Sequence, residues 1–300
     1  MNGFTKEPEE IKIQQLLACE RVIRSGWYVL GNELKHFESL WAEMCQSKYS
    51  LGVANGMDAI EISLRVLNIS EGDEVITTTM TAFATVLAII RAGATPILAD
   101  IDLSSGNLSP ESVERCISPK TKAIILVHLY GQVTNMDKWL SITDKYGIHL
   151  IEDCAQAHLA QWKGKKVGSF GSLSCFSFYP TKNLGALGDA GAITTSSQEF
   201  YDKALRLRNY GQSERYYHSE IGLNSRLDEI HAAVLLERVK YIDAFIDRRK
   251  QIAKLYLKNI NNPIIEHLNS PIDDTTHVYH LFVIRCKFRD QLHIYLKEKE

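Results

Sequence analysis

From Leu51 to Thr195, apolar runs of strand length alternate with stretches whose apolar residues return at helical spacing. That alternation predicts strand–helix–strand crossovers, and so an α/β fold with a mostly parallel sheet. "DEVITTT", "TPILADI", "KAIILVHLYG", "IHLIEDC" and "LSCFSFY" read as buried strands, and "AGAITTS" as a strand closing the block. Between them, "MDAIEISLRVLNI" and "MTAFATVLAIIRAG" carry helical spacing and end near Gly or polar breaks. After Asn224 the pattern becomes long amphipathic helical text, "SRLDEIHAAVLLERVKYIDAFIDRRKQIAKLYLKNI", expected to break once or twice. A second unit is expected from near Asn262, with "VYHLFVIRC" as a strand, and the text stops at "LKEKE" within a charged helical pattern. The expected division is a large α/β domain with an N-terminal helical segment over 1–240, then a connector helix and part of a small C-terminal domain over 241–300.

Composition narrows the class. The 300 residues are 45% hydrophobic and 23% charged with a net charge of -2, which suits a globular protein with a large core. Balanced charge without a long single-sign run points to neither nucleic acid nor a membrane surface as partner. The opening "MNGFTKEPEEIKIQQ" lacks an apolar secretory core, and no run reaches membrane-spanning length, so the cytoplasm is the expected location. Cys19, Cys45, Cys116, Cys154, Cys175 and Cys286 form no C-x-x-C pair, which argues against a zinc knuckle, a redox motif or a disulfide framework.

Ligands of parallel α/β sheets bind beyond the carboxyl ends of the strands, so residues just after each predicted strand are the candidates for chemistry. In "GVANGMDAI" a short strand ends at Asn55-Gly56 and a helix begins near Met57 or Asp58. Gly56 allows close backbone approach, and the free amides of the helix turn offer an anion seat; an ordinary strand-to-helix turn is the competing reading. In "HLIEDCAQAH" the strand delivers Glu152 and Asp153 to opposite sides, followed by Gln156 and His158. One carboxylate can then face a ligand while the other is solvated or paired. A metal held by Asp153 and His158 is disfavoured for want of further ligands at suitable spacing. In "SFYPTKNLGALGDAGAI" a single lysine, Lys182, sits in a glycine-rich turn between apolar runs, apart from other cations in the text. Desolvation there lowers a lysine's pKa and frees its amine as nucleophile and base. Ser177 faces the same strand end and adds a hydroxyl to the anion seat, and the glycines read as room for a ligand near the amine.

An anion seat, a strand-end carboxylate and a desolvated lysine, in that order, match the needs of pyridoxal 5'-phosphate: its phosphate, its ring nitrogen and its aldehyde. "SGWYVLGNELKHFE", "GVANGMDAI", "GATPILADID", "VHLYGQ", "IEDCAQAH", "SFYPTKNLGALGDAGAITT" and "NSRLDEIHAAVL" together resemble the DegT/DnrJ/EryC1/StrS family of nucleotide-sugar aminotransferases, over about Ser25 to Val283. The resemblance implies the type I, aspartate aminotransferase-like fold of pyridoxal phosphate-dependent transferases and a homodimer with shared active sites. It makes Lys182 the lysine that bonds the cofactor, Asp153 the partner of the ring nitrogen, and Gln156 a contact to the ring's phenolic oxygen. Ser177 and the backbone of Gly56 and Met57 become the phosphate cradle, which Asn224 joins from the other subunit. The implied reaction moves the amino group of L-glutamate to a keto group of a nucleotide-linked sugar, with Lys182 carrying the proton. "VHLYGQ", Gln156 and "GALGDAGAITT" lean toward C3 of a dTDP-3-keto-6-deoxyhexose, with C4 amination the alternative. Trp27, Tyr28, Tyr130, Tyr179 and Asn183 are the candidates for the sugar-nucleotide site.

Several positions depart from the family pattern. Ala82 stands where relatives place a ring-stacking aromatic, which shifts that role toward Phe83; Met57 replaces a hydroxyl residue, and Leu159 a glycine. Relatives continue through a complete small domain with another histidine segment, so the text ending at Glu300 is expected to be a truncated form or to carry an abbreviated domain. A related dehydratase, with histidine in place of the lysine, is disfavoured by Lys182, and a nicotinamide dehydrogenase by the lack of G-x-G-x-x-G. A cofactor-binding regulatory homologue remains the alternative from a different class.

Overall fold

The computed structural model describes residues 3–268 and 272–299. Two helices, α1 (Glu9–Ser25) and α2 (Asn32–Met44), precede the sheet, and α1 stops where Gly26 turns left-handed at φ 65°. Next come β1 (Tyr49–Val53), α3 (Gly56–Val66), β2 (Glu74–Thr78), α4 (Phe83–Arg91), β3 (Thr95–Ala99), α5 (Pro110–Cys116), β4 (Thr121–Val127), α6 (Met136–Tyr146) and β5 (His149–Asp153). A small hairpin, β6 (Gln161–Trp162) with β7 (Lys165–Lys166), leads to β8 (Leu173–Ser177) and β9 (Gly191–Thr195). After α7 (Gln198–Leu207) an outlying hairpin pairs β10 (Gln212–Glu214) with β11 (Tyr217–His218). Then follow α8 (Glu229–Arg238), α9 (Ile242–Asn259), the ribbon of β12 (Ile265–His267) with β13 (Ile284–Cys286), and α10 (Arg289–Lys299). The polar residues that interrupt the apolar runs start the helices. Asn55, Ser109, Asn135 and Ser197 each accept an N–H from three residues on, at 2.8, 3.2, 3.2 and 3.3 Å.

The main sheet runs β1-β9-β8-β5-β4-β2-β3, parallel from β8 to β3, with β9 antiparallel to both neighbours. Strand alternation sends Leu126, Leu150 and Phe176 into one core with Phe37, Trp41 and Trp139 of α2 and α6. It sends Ile125, Ile151 and Cys175 into the other, with Ile62, Ile89 and Leu207 of α3, α4 and α7. Helices thus cover both faces, and every strand predicted between residues 74 and 195 forms.

The long helical text breaks once, at the 3-10 turn Val239–Tyr241 between α8 and α9. The predicted strand "VYHLFVIRC" shrinks to Ile284–Cys286. Its first half is drawn inward instead: Val278 N–H donates to Gly131 O (2.9 Å), and Asn183 Nδ2 donates to Val278 O (3.2 Å). Arg249 Nη1 donates to the carbonyls of Tyr279 (3.2 Å) and His280 (3.0 Å). Backbone groups claimed by side chains and a distant loop are lost to a strand ladder. Among the described residues, no helix is long and apolar enough to cross a membrane.

Candidate active site

The carboxyl ends of β1, β5 and β8 meet at one rim, beside the first turns of α3 and α4. Asp153 ends β5 on the α3/α4 face. Its Oδ2 accepts from Thr85 Oγ1 of α4 (2.9 Å) and its Oδ1 from Ala155 N–H (3.1 Å), which fixes the carboxylate's direction. Ser177 ends β8 on the same face. An added Cβ at Gly56 would lie 2.8 Å from Ser177 Cβ, so glycine alone lets the first turn of α3 approach this closely. The Asn55 cap takes Asp58 N–H and leaves the Gly56 and Met57 amides without a helical acceptor, which makes them an anion seat. The Met57 side chain packs into the core around α3, so its backbone is the part turned to the rim.

Lys182 occupies a tight turn in which its N–H donates to Tyr179 O (2.8 Å). Burial pulls its amine below the usual lysine pKa, and the Asp153 carboxylate draws it partly back. The text separates Lys182 from other cations, but the fold does not. A cavity of about 430 Å³ runs from Lys182 and Asn183 to Lys6, Arg238, Arg248 and Arg249. Two of the motif's glycines serve close backbone packing. A side chain at Gly185 would strike the Pro180 carbonyl, and one at Gly191 the carbonyl of Asn55. These two bring backbone against backbone, whereas Gly188 faces the His231 ring.

Gln156 Oε1 accepts Tyr130 N–H (2.6 Å), pinning Tyr130 in a left-handed turn at φ 63° that a non-glycine residue rarely adopts. The Tyr130 ring lies beside Gly106 and lines a small cavity with His277, Tyr279 and Phe282, a cavity that does not include Lys182. Asn183 lines the cavity beside Lys182, but its side chain is already engaged. It is 3% exposed, and its carboxamide is committed to Val278 O and to His280 Nδ1 (3.3 Å). Tyr179 is exposed next to Ser177, with its N–H on Ser177 Oγ (3.3 Å), and Phe83 is exposed at the first turn of α4, two residues from Thr85. Trp27 and Tyr28 are exposed on the approach to α2, where Trp27 Nε1 donates to Val29 O (2.8 Å). That approach is anchored by Glu229 of α8, whose carboxylate accepts the N–H groups of Gly31 (2.8 Å), Glu33 (2.9 Å) and Leu34 (3.0 Å). Asn224 is exposed; it bridges Asn209, and the adjacent Ser225 Oγ accepts Ala54 N–H (3.1 Å).

Glu152 faces away from the rim into the core. Its carboxylate accepts from Phe170 N–H (2.9 Å), Gly171 N–H (3.0 Å) and Ser174 Oγ (2.8 Å), and pairs with His128 Nε2 (3.1 Å). Burial alone would raise its pKa, but His128, Gly171 and Ser174 outweigh that, and the net direction is down. Of the two adjacent acids, Glu152 is therefore the structural one. Thr85 and His158 were not legible as partners in the sequence. His158 Nε2 donates to Ser177 O (3.0 Å), and its ring stands among Trp41, Phe176 and Phe178.

Burial, aided by the charges of Lys182 and Arg249, holds His158 and His280 at a pKa of about 3; burial holds His277 at about 4. Tyr279 N–H donates to His277 Nδ1 (3.0 Å), which requires that nitrogen to be unprotonated. All three are neutral in the folded chain, whereas the unfolded chain protonates them near ~6.5. Their contribution is therefore complete above that value and is lost as pH falls toward 3, at about 1.4 kcal/mol per pH unit for each histidine. Denaturant midpoints are expected to fall steadily from roughly pH 6.5 to pH 5. A flat profile there would contradict three buried neutral imidazoles.

Comparison with known proteins fits this geometry. The family model described as DegT/DnrJ/EryC1/StrS aminotransferase family matches residues 9–300. A protein of Aneurinibacillus thermoaerophilus named dTDP-3-amino-3,6-dideoxy-alpha-D-galactopyranose transaminase is 49% identical over 288 residues, covering 96% of this chain and 78% of that protein. The crystal structure of S. venezuelae DesV superposes with a TM-score of 0.94 at 41% identity, covering 97% of this chain and 78% of that one. The structure of ntda from Bacillus subtilis with bound cofactor PMP gives a TM-score of 0.88 at 31% identity, covering 98% of this chain and 67% of that one. With a lysine, a carboxylate and an anion seat at one rim, and with this match along nearly all of its length, the chain belongs to the DegT/DnrJ/EryC1/StrS aminotransferase family.

Proposed function

We propose that the protein is a pyridoxal phosphate-dependent aminotransferase that moves the amino group of L-glutamate to C3 of a dTDP-linked 3-keto-6-deoxyhexose. The observation that carries this reading is the convergence of Lys182, Asp153 and the Gly56–Ser177 contact at one rim, in a chain 49% identical to a transaminase named for a dTDP-3-amino sugar. The residues fit the cofactor. The uncapped amides of Gly56 and Met57 suit a phosphate, the Asp153 carboxylate suits a protonated ring nitrogen, and the largely buried Lys182 amine suits an aldehyde.

When bound, the cofactor supplies an electron sink and carries the amino group between the two substrates. The protein's share is orientation and proton movement. Lys182 Nζ, neutral more readily than an exposed amine, would take the proton from the α-carbon of glutamate and pass it, within the same half of the cycle, to the carbon on which the cofactor carries the amino group; in the second half it would move a proton from there to C3 of the sugar. Asp153, aimed by Thr85 and Ala155, holds the proton at the ring nitrogen. Gln156, with its oxygen occupied by Tyr130 N–H, keeps its amide hydrogens for an oxygen acceptor. The reading includes a homodimer in which the exposed Asn224 serves the neighbouring site.

The test is purified protein with pyridoxal phosphate, L-glutamate and a panel of 3-keto and 4-keto sugars linked to dTDP, UDP or GDP. Amination of the dTDP-3-keto sugar, with 2-oxoglutarate formed in equal amount, is expected. Preference for a 4-keto sugar would move the reading to C4 amination, and absence of any glutamate-dependent absorbance change would support a regulatory homologue.

A further inference from the structure

β1 is the edge strand of the main sheet, and the outward backbone groups of Gly52 are sealed by side chains. Gly52 N–H donates to Glu38 Oε1 (2.7 Å), Gly52 O accepts from Arg208 Nη1 (2.9 Å), and the same Nη1 pairs with Glu38. Glu38 and Arg208 are 9% and 7% exposed, so the pair is withdrawn from solvent and its partners have few substitutes. Arg208 also lies at the neck of the outlying hairpin. Its carbonyl accepts Ser225 N–H (2.9 Å), Leu207 O accepts Leu223 N–H (2.7 Å), and Leu223 O accepts Tyr210 N–H (2.8 Å). Ser225 Oγ then accepts Ala54 N–H (3.1 Å), one residue before the Asn55 cap. The buried pair thus grips β1 from its edge, and the neck grips it again at the residue that enters the anion seat.

We propose that Arg208 is a positioning residue for the phosphate end of the cofactor. Paired with Glu38, it sets the position of Gly52 and, through Ser225, of Ala54. The Gly56 and Met57 amides are thereby presented in register with Ser177. The inference rests on the reading that this rim takes pyridoxal phosphate, and it assigns part of the affinity to residues that never touch the cofactor.

The experiment titrates pyridoxal phosphate into apoprotein, following protein fluorescence, beside melting temperature and amide exchange over residues 52–58. Arg208→Met alone leaves Glu38 buried without its cation and is expected to lower the melting temperature most. The double variant Glu38→Leu with Arg208→Met is expected to recover most of that loss, yet to bind pyridoxal phosphate at least about tenfold more weakly and to exchange faster over 52–58. Arg208→Lys, able to place one nitrogen where Nη1 stands, is expected to restore affinity. Ser225→Ala, which leaves the ion pair intact, is expected to weaken binding about fivefold with little change in melting temperature. Wild-type affinity in a thermally recovered double variant, or in Ser225→Ala if the double variant does not fold, would overturn the proposal. Failure of the wild-type apoprotein to bind would instead strike the reading of the site.

Discussion

Lys182→Ala is expected to lower amino-group transfer by at least about 10⁴-fold, because one side chain serves as both nucleophile and proton carrier. The fold itself should tolerate the change. Lys182 is held through its backbone N–H on Tyr179 O, and Asp153, the buried carboxylate that loses its cationic neighbour, keeps its hydrogen bonds from Thr85 and Ala155. Lys182→Arg keeps a cation, but one that does not deprotonate in a protein, so it should be as inactive as the alanine variant. Borohydride treatment of the wild-type protein with pyridoxal phosphate should fix the cofactor's mass on the peptide containing Lys182, and both variants should remain unlabelled. Labelling elsewhere, or activity within tenfold of wild type, would remove Lys182 from its role.

Asp153→Asn is the second large effect, at about 10²–10³-fold in turnover, the scale on which one preorganised electrostatic partner acts. Asparagine matches aspartate in shape; its Oδ1 can still accept Ala155 N–H, and its Nδ2 can donate to the Thr85 hydroxyl, which then accepts instead of donating, so the change removes the charge with little change of geometry. Without the carboxylate the ring nitrogen loses the interaction that favours its proton. A cofactor analogue methylated at that nitrogen carries a permanent charge and should recover part of the lost rate in Asp153→Asn while slowing the wild type. If Asp153→Asn turned over normally, the proton at the ring nitrogen would have another keeper.

What was legible in the sequence is what a single segment determines. Buried parallel strands read as short apolar runs, and Gly56, Asp153 and Lys182 each follow such a run, so the rim they share follows from the topology. What was hidden depends on distant pairing. Thr85 meets Asp153 across 68 positions and Arg208 meets Glu38 across 170, and neither residue type at its place in the text announces a partner. Asn183 lines the cavity beside Lys182, but the sequence does not show that its carboxamide is bonded to residues 278 and 280. The stretch before Ile284 misled because its apolar alternation suits a strand, whereas Gly131, Asn183 and Arg249 claim the backbone groups a strand would use.

The grip of Glu229 on Gly31, Glu33 and Leu34 bears on how such sequences drift. The motif "NSRLDE" joins Asn224, proposed to serve the neighbouring subunit's site, to an acid whose work is to tether two helices. Selection for a stable chain would preserve Glu229 even after catalysis had been abandoned. In a descendant that had exchanged enzymatic work for another task, the second half of that motif would outlive the first, and mismatched retention of the two would date the loss.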